Sequence, residues 1–131
     1  LGAACRLAAA ELQVRMQTLT ELRDLLYTRL HQAIPTIRLH GHPTARLPNT
    51  LNVGFPGVTG THLLAACPSI AASTGSACHA HGEEPSNVLR RMGIGRTEAL
   101  EAVRLTLGNS TTRPDILRAA HDLVNAWRSL T

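Results

Sequence analysis

Val103-Arg104-Leu105-Thr106-Leu107-Gly108 alternates apolar and polar residues and stops at a glycine, so it reads as a half-buried β-strand. Val103, Leu105 and Leu107 share the apolar face, which turns Arg104 to the opposite one. Four residues beyond Gly108, Thr112 with Asp115 resembles a capping box in which Asp replaces Glu. The helix that it opens runs to about Leu130, with Ile116, Leu117, Ala120, Leu123, Val124 and Trp127 in one apolar stripe. A one-sided strand followed by a one-sided helix predicts helices packed on one face of a small, mostly antiparallel sheet, an α+β fold.

Working back along the chain, Asn49 to Phe55 repeats the pattern, with Leu51, Val53 and Phe55 on one face. Thr36 to His40 alternates as a shorter strand, closed by the turn residues Gly41 to Pro43. Ile70-Ala71-Ala72 is expected as a further strand. Short helices are expected over Thr61–Ala66, over Ser86–Met92 with Pro85 in the first turn, and over Thr97–Ala102 with a threonine cap. Ala3 to about Ala33 contains neither Pro nor Gly and reads as one helix, with Leu12, Leu19, Leu22, Leu26 and Leu30 in a stripe. Its length, roughly 45 Å, exceeds what one small domain needs. Residues 1–34 are therefore expected to link the α+β domain, 35–131, to a neighbouring domain outside this chain.

Composition narrows the function classes. At 131 residues with 44% hydrophobic content the chain is one folded domain, and with 2% aromatics its core must be aliphatic. All 13 basic residues are arginine, scattered from Arg6 to Arg128, and there are too few aromatics to stack on bases, so the net charge of +4 reads as a solvated surface and not a nucleic-acid site. Three widely spaced cysteines make no disulfide framework and predict a reducing, cytoplasmic setting. No signal peptide or run long enough to span a membrane is visible. The complete absence of lysine forbids Schiff-base chemistry by this chain alone.

The chemistry concentrates in Ser73-Thr74-Gly75-Ser76-Ala77-Cys78-His79-Ala80-His81-Gly82. Small residues that cannot shield Cys78, bracketed by two glycines, predict a flexible loop that feeds the next helix, where a mobile nucleophile would be placed. A free cysteine is also at home as a small buried hydrophobe, and that is how Cys67 and Cys5 are read. Cys78, His79 and His81 invite a three-ligand metal reading, but no fourth ligand is evident, and His40 with His42 lack partners for the same purpose. No metal site is therefore expected.

With these pieces in order, the chain resembles the C-terminal part of the cysteine desulfurases, fold-type I pyridoxal-phosphate enzymes related to the class V aminotransferases. The resemblance rests on Leu47-Pro48-Asn49-Thr50-Leu51-Asn52-Val53, Ser73-Thr74-Gly75-Ser76-Ala77-Cys78, Pro85-Ser86-Asn87-Val88-Leu89 with Met92-Gly93, and Val103-Arg104-Leu105-Thr106-Leu107-Gly108 with Thr111-Thr112. It implies that Cys78 takes sulfur from L-cysteine as a persulfide, releasing alanine, and that Arg104 binds the substrate carboxylate. His79 and His81 match variable positions, and an auxiliary role for them is left open. The resemblance further implies a pyridoxal 5'-phosphate held by an N-terminal domain that this chain lacks, a homodimeric full-length enzyme, and a sulfur acceptor such as an iron–sulfur scaffold. Alone, the chain is expected to be inactive. Selenocysteine lyase is the alternative within the fold, and a cofactor-free persulfide-relay or interaction module is the alternative outside enzymology.

Overall fold

The computed structural model describes residues 1–75 and 84–131. In chain order they form α1 (Gly2–Ala33), β1 (Arg38–Leu39), β2 (Thr50–Gly54), α2 (Gly60–Ala66), α3 (Asn87–Arg91), α4 (Arg96–Leu100), β3 (Ala102–Thr106) and α5 (Arg113–Leu130). The strands make one antiparallel sheet in the order β1-β2-β3.

The register explains the two faces. Leu51 lies opposite Leu105 and Val53 opposite Val103, and all four are buried. They form one core with Leu26 and Leu30 of α1 and with Ile116, Ala120, Leu123 and Val124 of α5. Each leucine, isoleucine or valine among them, taken from water, stabilises the fold by about 1.5–3 kcal/mol. α1 and α5 pack against each other over this face, and Trp127 Nε1 donates to the Pro56 carbonyl at 3.0 Å. The other face carries Thr50, Asn52, Arg104 and Thr106, half-buried on β2 and exposed on β3.

The α+β architecture, the long opening helix and the α5 capping box agree with the sequence. At Thr112 the hydroxyl accepts from Asp115 N while the Asp115 carboxylate accepts from Thr112 N, closing both halves of the box. Four local expectations are corrected. Residues 70–72 are not a strand: the Ile70 N–H is spent on the Cys67 carbonyl at 3.1 Å in a turn, and pairing begins only at Ser73. α4 starts from Gly95, not Thr97, because the Gly95 carbonyl accepts from Ala99 N at 2.9 Å, and Ala102 belongs to β3. α3 starts after Ser86, leaving Pro85 before the cap. The stripe of α1 is buried only from Leu19 onward, whereas Leu7, Leu12, Val14 and Met16 are exposed.

Candidate functional site

Arg104 sits in the middle of β3 on the outer face, exposed. Its backbone exchanges two hydrogen bonds with Ser73, Arg104 N to Ser73 O at 2.7 Å and Ser73 N to Arg104 O at 3.3 Å. Those bonds use the side of β3 away from β2, so Arg104 and Asn52 form a non-hydrogen-bonded pair, the closer of the two antiparallel pairings. On the far side of β2, His40 N donates to Asn52 O at 3.0 Å. The four residues His40, Asn52, Arg104 and Ser73 therefore stand in one row across the sheet, with side chains on one face. Among the described residues, no hydrogen bond or ion pair holds the Arg104 guanidinium.

The His40 end of the row is braced. His40 is buried, its Nδ1 lies 2.7 Å from Asn52 Oδ1, and its Nε2 lies 3.1 Å from Glu98 Oε1 on α4. His42 turns away, its Nδ1 accepting from the Thr44 and Ala45 N–H groups, so the two histidines do not converge. Beside them, buried Glu101 accepts from Arg38 Nη1 at 2.6 Å and from Gly57 N at 2.9 Å. These contacts join residues separated by 12 to 63 positions. Only the strand periods of His40 and Asn52 hinted at them in the sequence.

The Ser73 end leads into the cysteine segment. The Ser73 hydroxyl donates to Gly75 O at 2.7 Å and accepts from Gly75 N at 3.3 Å, a turn that fixes the direction of departure. Thr74 is held close to Gly60 at the start of α2, where a Cβ would come within 2.5 Å of Ala102 O and 2.9 Å of Thr74 Cγ2. Only glycine allows that approach. Gly75 in turn lies beside Ser86, with its Cβ position 3.8 Å from Ser86 Cβ, so the root of the cysteine segment adjoins the residue that precedes α3. Cys78, His79 and His81 lie outside the described residues.

The remaining candidates fall elsewhere. Cys67 is buried, and burial pushes its thiol pKa up, opposed by a hydrogen bond with Ser69. Cys5 is exposed on α1. A cleft of about 410 Å³ between residues 69–71 and the start of α5 is lined by Leu26, Ile70, Leu105, Ile116 and Arg118, and includes neither Arg104 nor Asn52.

The chain contains no lysine, so its own residues do not fit the anchoring of pyridoxal phosphate. What the outer face presents instead is a row that ends at the root of the cysteine segment, with a planar cation at its centre.

Comparison with known proteins gives this arrangement its relatives. A curated cysteine desulfurase of Frankia sp. (strain EuIK1) is 44% identical over 127 residues, 94% of this chain and 30% of the relative. The cysteine desulfurase IscS of Methanosarcina thermophila is 39% identical over 136 residues, covering 100% of this chain and 33% of the relative. That of Ehrlichia chaffeensis is 35% identical over 130 residues, 99% and 32% of the two chains. The chain thus spans about a third of the length of these relatives. Among solved structures, a NifS-like protein superposes with a TM-score of 0.79 at 24% identity over 95% of this chain and 31% of the other. A NifS-like protein from Rickettsia africae gives 0.76 at 24% identity over 98% and 32%. These two share the fold. The profile of the family described as Aminotransferase class-V matches residues 1–118, and the chain belongs to that family.

Proposed function

We propose that this chain is the C-terminal domain of a pyridoxal-phosphate-dependent cysteine desulfurase, with residues 1–34 linking it to the cofactor domain. Arg104 supports the reading most directly. It is exposed and unengaged among the described residues, at the centre of an open sheet face, one backbone pair from the segment that carries Cys78. A planar guanidinium there suits a bidentate grip on the α-carboxylate of L-cysteine. Cys78 then receives the substrate sulfur: L-cysteine and the Cys78 thiol become L-alanine and a Cys78 persulfide. The names of the relatives favour sulfur over selenium.

In this reading the cofactor belongs to an N-terminal domain outside this chain, which spans only 30% of the Frankia relative's length. It supplies the electron sink for cleavage of the carbon–sulfur bond. The domain alone is inactive in this reading, the complete enzyme is a homodimer, and the persulfide passes to an acceptor such as an iron–sulfur scaffold. Free Cys5 and Cys67 fit a reducing, cytoplasmic setting.

The test assembles the chain with a lysine-bearing N-terminal domain and pyridoxal phosphate, then follows alanine and sulfide from L-cysteine. Cys78→Ala is expected to abolish turnover. Arg104→Ala is expected to raise KM by roughly 10- to 100-fold, the range for one hydrogen-bonded charge pair. Turnover of selenocysteine alone would reassign the chain to a lyase. No turnover of either amino acid by associated domains would overturn the catalytic reading and leave the persulfide relay.

A further inference from the structure

The row across the sheet contains a second donor beside Arg104. Asn52 is half-buried, and its Oδ1 is engaged by His40 Nδ1 at 2.7 Å. His40 is itself held at its backbone, by the N–H on Asn52 O, and at its ring, by Nε2 on Glu98 Oε1 at 3.1 Å and the ring edge over Gly54. A Cβ at Gly54 would approach His40 Cε1 to 3.1 Å, so the missing side chain makes room for the ring. Both ring nitrogens face oxygens, Asn52 Oδ1 on one side and Glu98 Oε1 on the other. In this placement Oδ1 faces the ring, which leaves the NH2 half of the amide turned away from His40.

The other half of the amide is the consequential part. The Asn52 NH2 carries two donors and bonds to none of the described residues. Asn52 and Arg104 are direct cross-strand neighbours in the closer, non-hydrogen-bonded pairing, where Cβ atoms lie about 4.5–5.5 Å apart. An anion gripped by the guanidinium lies within reach of that NH2 group.

We infer that Asn52 is a second ligand for the anionic group bound at Arg104, and that His40 and Glu98 are positioning residues that hold its NH2 end outward. The inference rests on the carboxylate reading of Arg104 and adds a residue to it. Arg104 supplies the charge and a planar fork. Asn52 supplies a neutral donor of fixed direction, which favours a flat carboxylate in one orientation.

Three variants in the assembled enzyme test this, each measured for KM, kcat, inhibition by L-alanine and thermal midpoint. Asn52→Ala is expected to raise KM and the L-alanine inhibition constant about tenfold with kcat nearly unchanged, as for the loss of one hydrogen bond to a charged group. Asn52→Asp keeps the shape and the acceptor for His40 but sets a negative charge beside the bound anion. It is expected to raise KM further than Asn52→Ala while its thermal midpoint stays at or above that of Asn52→Ala. A role confined to bracing the sheet predicts the reverse order, Asp milder than Ala in every readout, and that order would overturn the inference. Glu98→Gln is expected to raise KM less than Asn52→Ala, because the amide still meets His40. If Arg104→Ala raises KM while both Asn52 variants match the unmodified enzyme, the inference fails and the carboxylate reading stands. If Arg104→Ala is also silent, the carboxylate reading has failed first.

Discussion

Cys67 and Cys5 show how a residue's environment decides its chemistry. Cys67 is 3% exposed, and burial raises its thiol pKa, so little thiolate forms near neutrality and reagents cannot reach it. Cys5 is exposed near the start of α1. A thiol-alkylating reagent at neutral pH is expected to modify Cys5 at least tenfold faster than Cys67 in the folded protein, with the two rates converging in denaturant, as peptide mass spectrometry would read. Rapid labelling of Cys67 without denaturant would mean that the α2–α5 contact opens readily. At this scale the sequence was informative where a residue acts alone. Arg104 on the face opposite Val103 and Leu105 was legible from alternation, whereas the engagement of His40 with Asn52 and Glu98 was not. Those contacts arise only once register brings distant segments together.

Local chemistry decides where elements begin and end, and α5 is the clearest case. Thr112 and Asp115 close a full capping box, and Pro114 sits in the first turn. The Thr112 hydroxyl, then the Thr112 backbone N–H and Arg118, hold the Asp115 carboxyl below its ordinary pKa. A carboxyl whose pKa is lower in the folded state stabilises it above the unfolded value, near 3.9, and that contribution is lost as pH falls through the folded value. Thr112→Ala is expected to cost about 0.5–2 kcal/mol at neutral pH. Asp115→Asn is expected to flatten the acid limb of the stability curve below about pH 4, as urea titrations across pH would show. The strands of residues 49–55 and 103–107 were legible for the same local reason, since alternation survives without knowledge of the partner. The misread strand at 70–72 and cap at 97 went the other way. A carbonyl at Cys67 and one at Gly95 claimed the nearby N–H groups, and propensity does not see such bonds. Gly60 adds a packing constraint that no pattern reveals. Gly60→Ala places a Cβ 2.5 Å from Ala102 O and is expected to cost about 1–3 kcal/mol by overpacking, read as a lowered urea midpoint.

Across the whole molecule, stability is concentrated at one end. Leu30 is fully buried between the sheet and α5, whereas Leu12, on the same helix and in the same heptad-like stripe, is 51% exposed. Leu30→Ala is expected to destabilise the fold by about 2–5 kcal/mol. Leu12→Ala is expected to fall within about 0.5 kcal/mol of the unmodified protein. Equal losses in chemical denaturation would show that the first turns of α1 are packed against something in solution. The apolar stripe in the sequence identified the helix, but it could not say how far along the core extends, because that depends on where the sheet and α5 end.

The neighbouring positions of Gly75 and Ser86 have a kinetic consequence. Ten residues separate them, and their Cβ positions are 3.8 Å apart. Eleven Cα steps join them, so contour length alone keeps the backbone of any chain over that span within about 20 Å of the root. A group carried on them is therefore a tethered reactant. On the proposed reading, its encounter with a substrate at the Arg104 row is intramolecular, at an effective concentration of millimolar order or higher. The same tether sets a distance limit on delivery: a recipient must bring its own reactive atom inside that radius. If the proposed desulfurase reading holds, capture by this chain is first-order, and hand-over is governed by how closely a second molecule approaches.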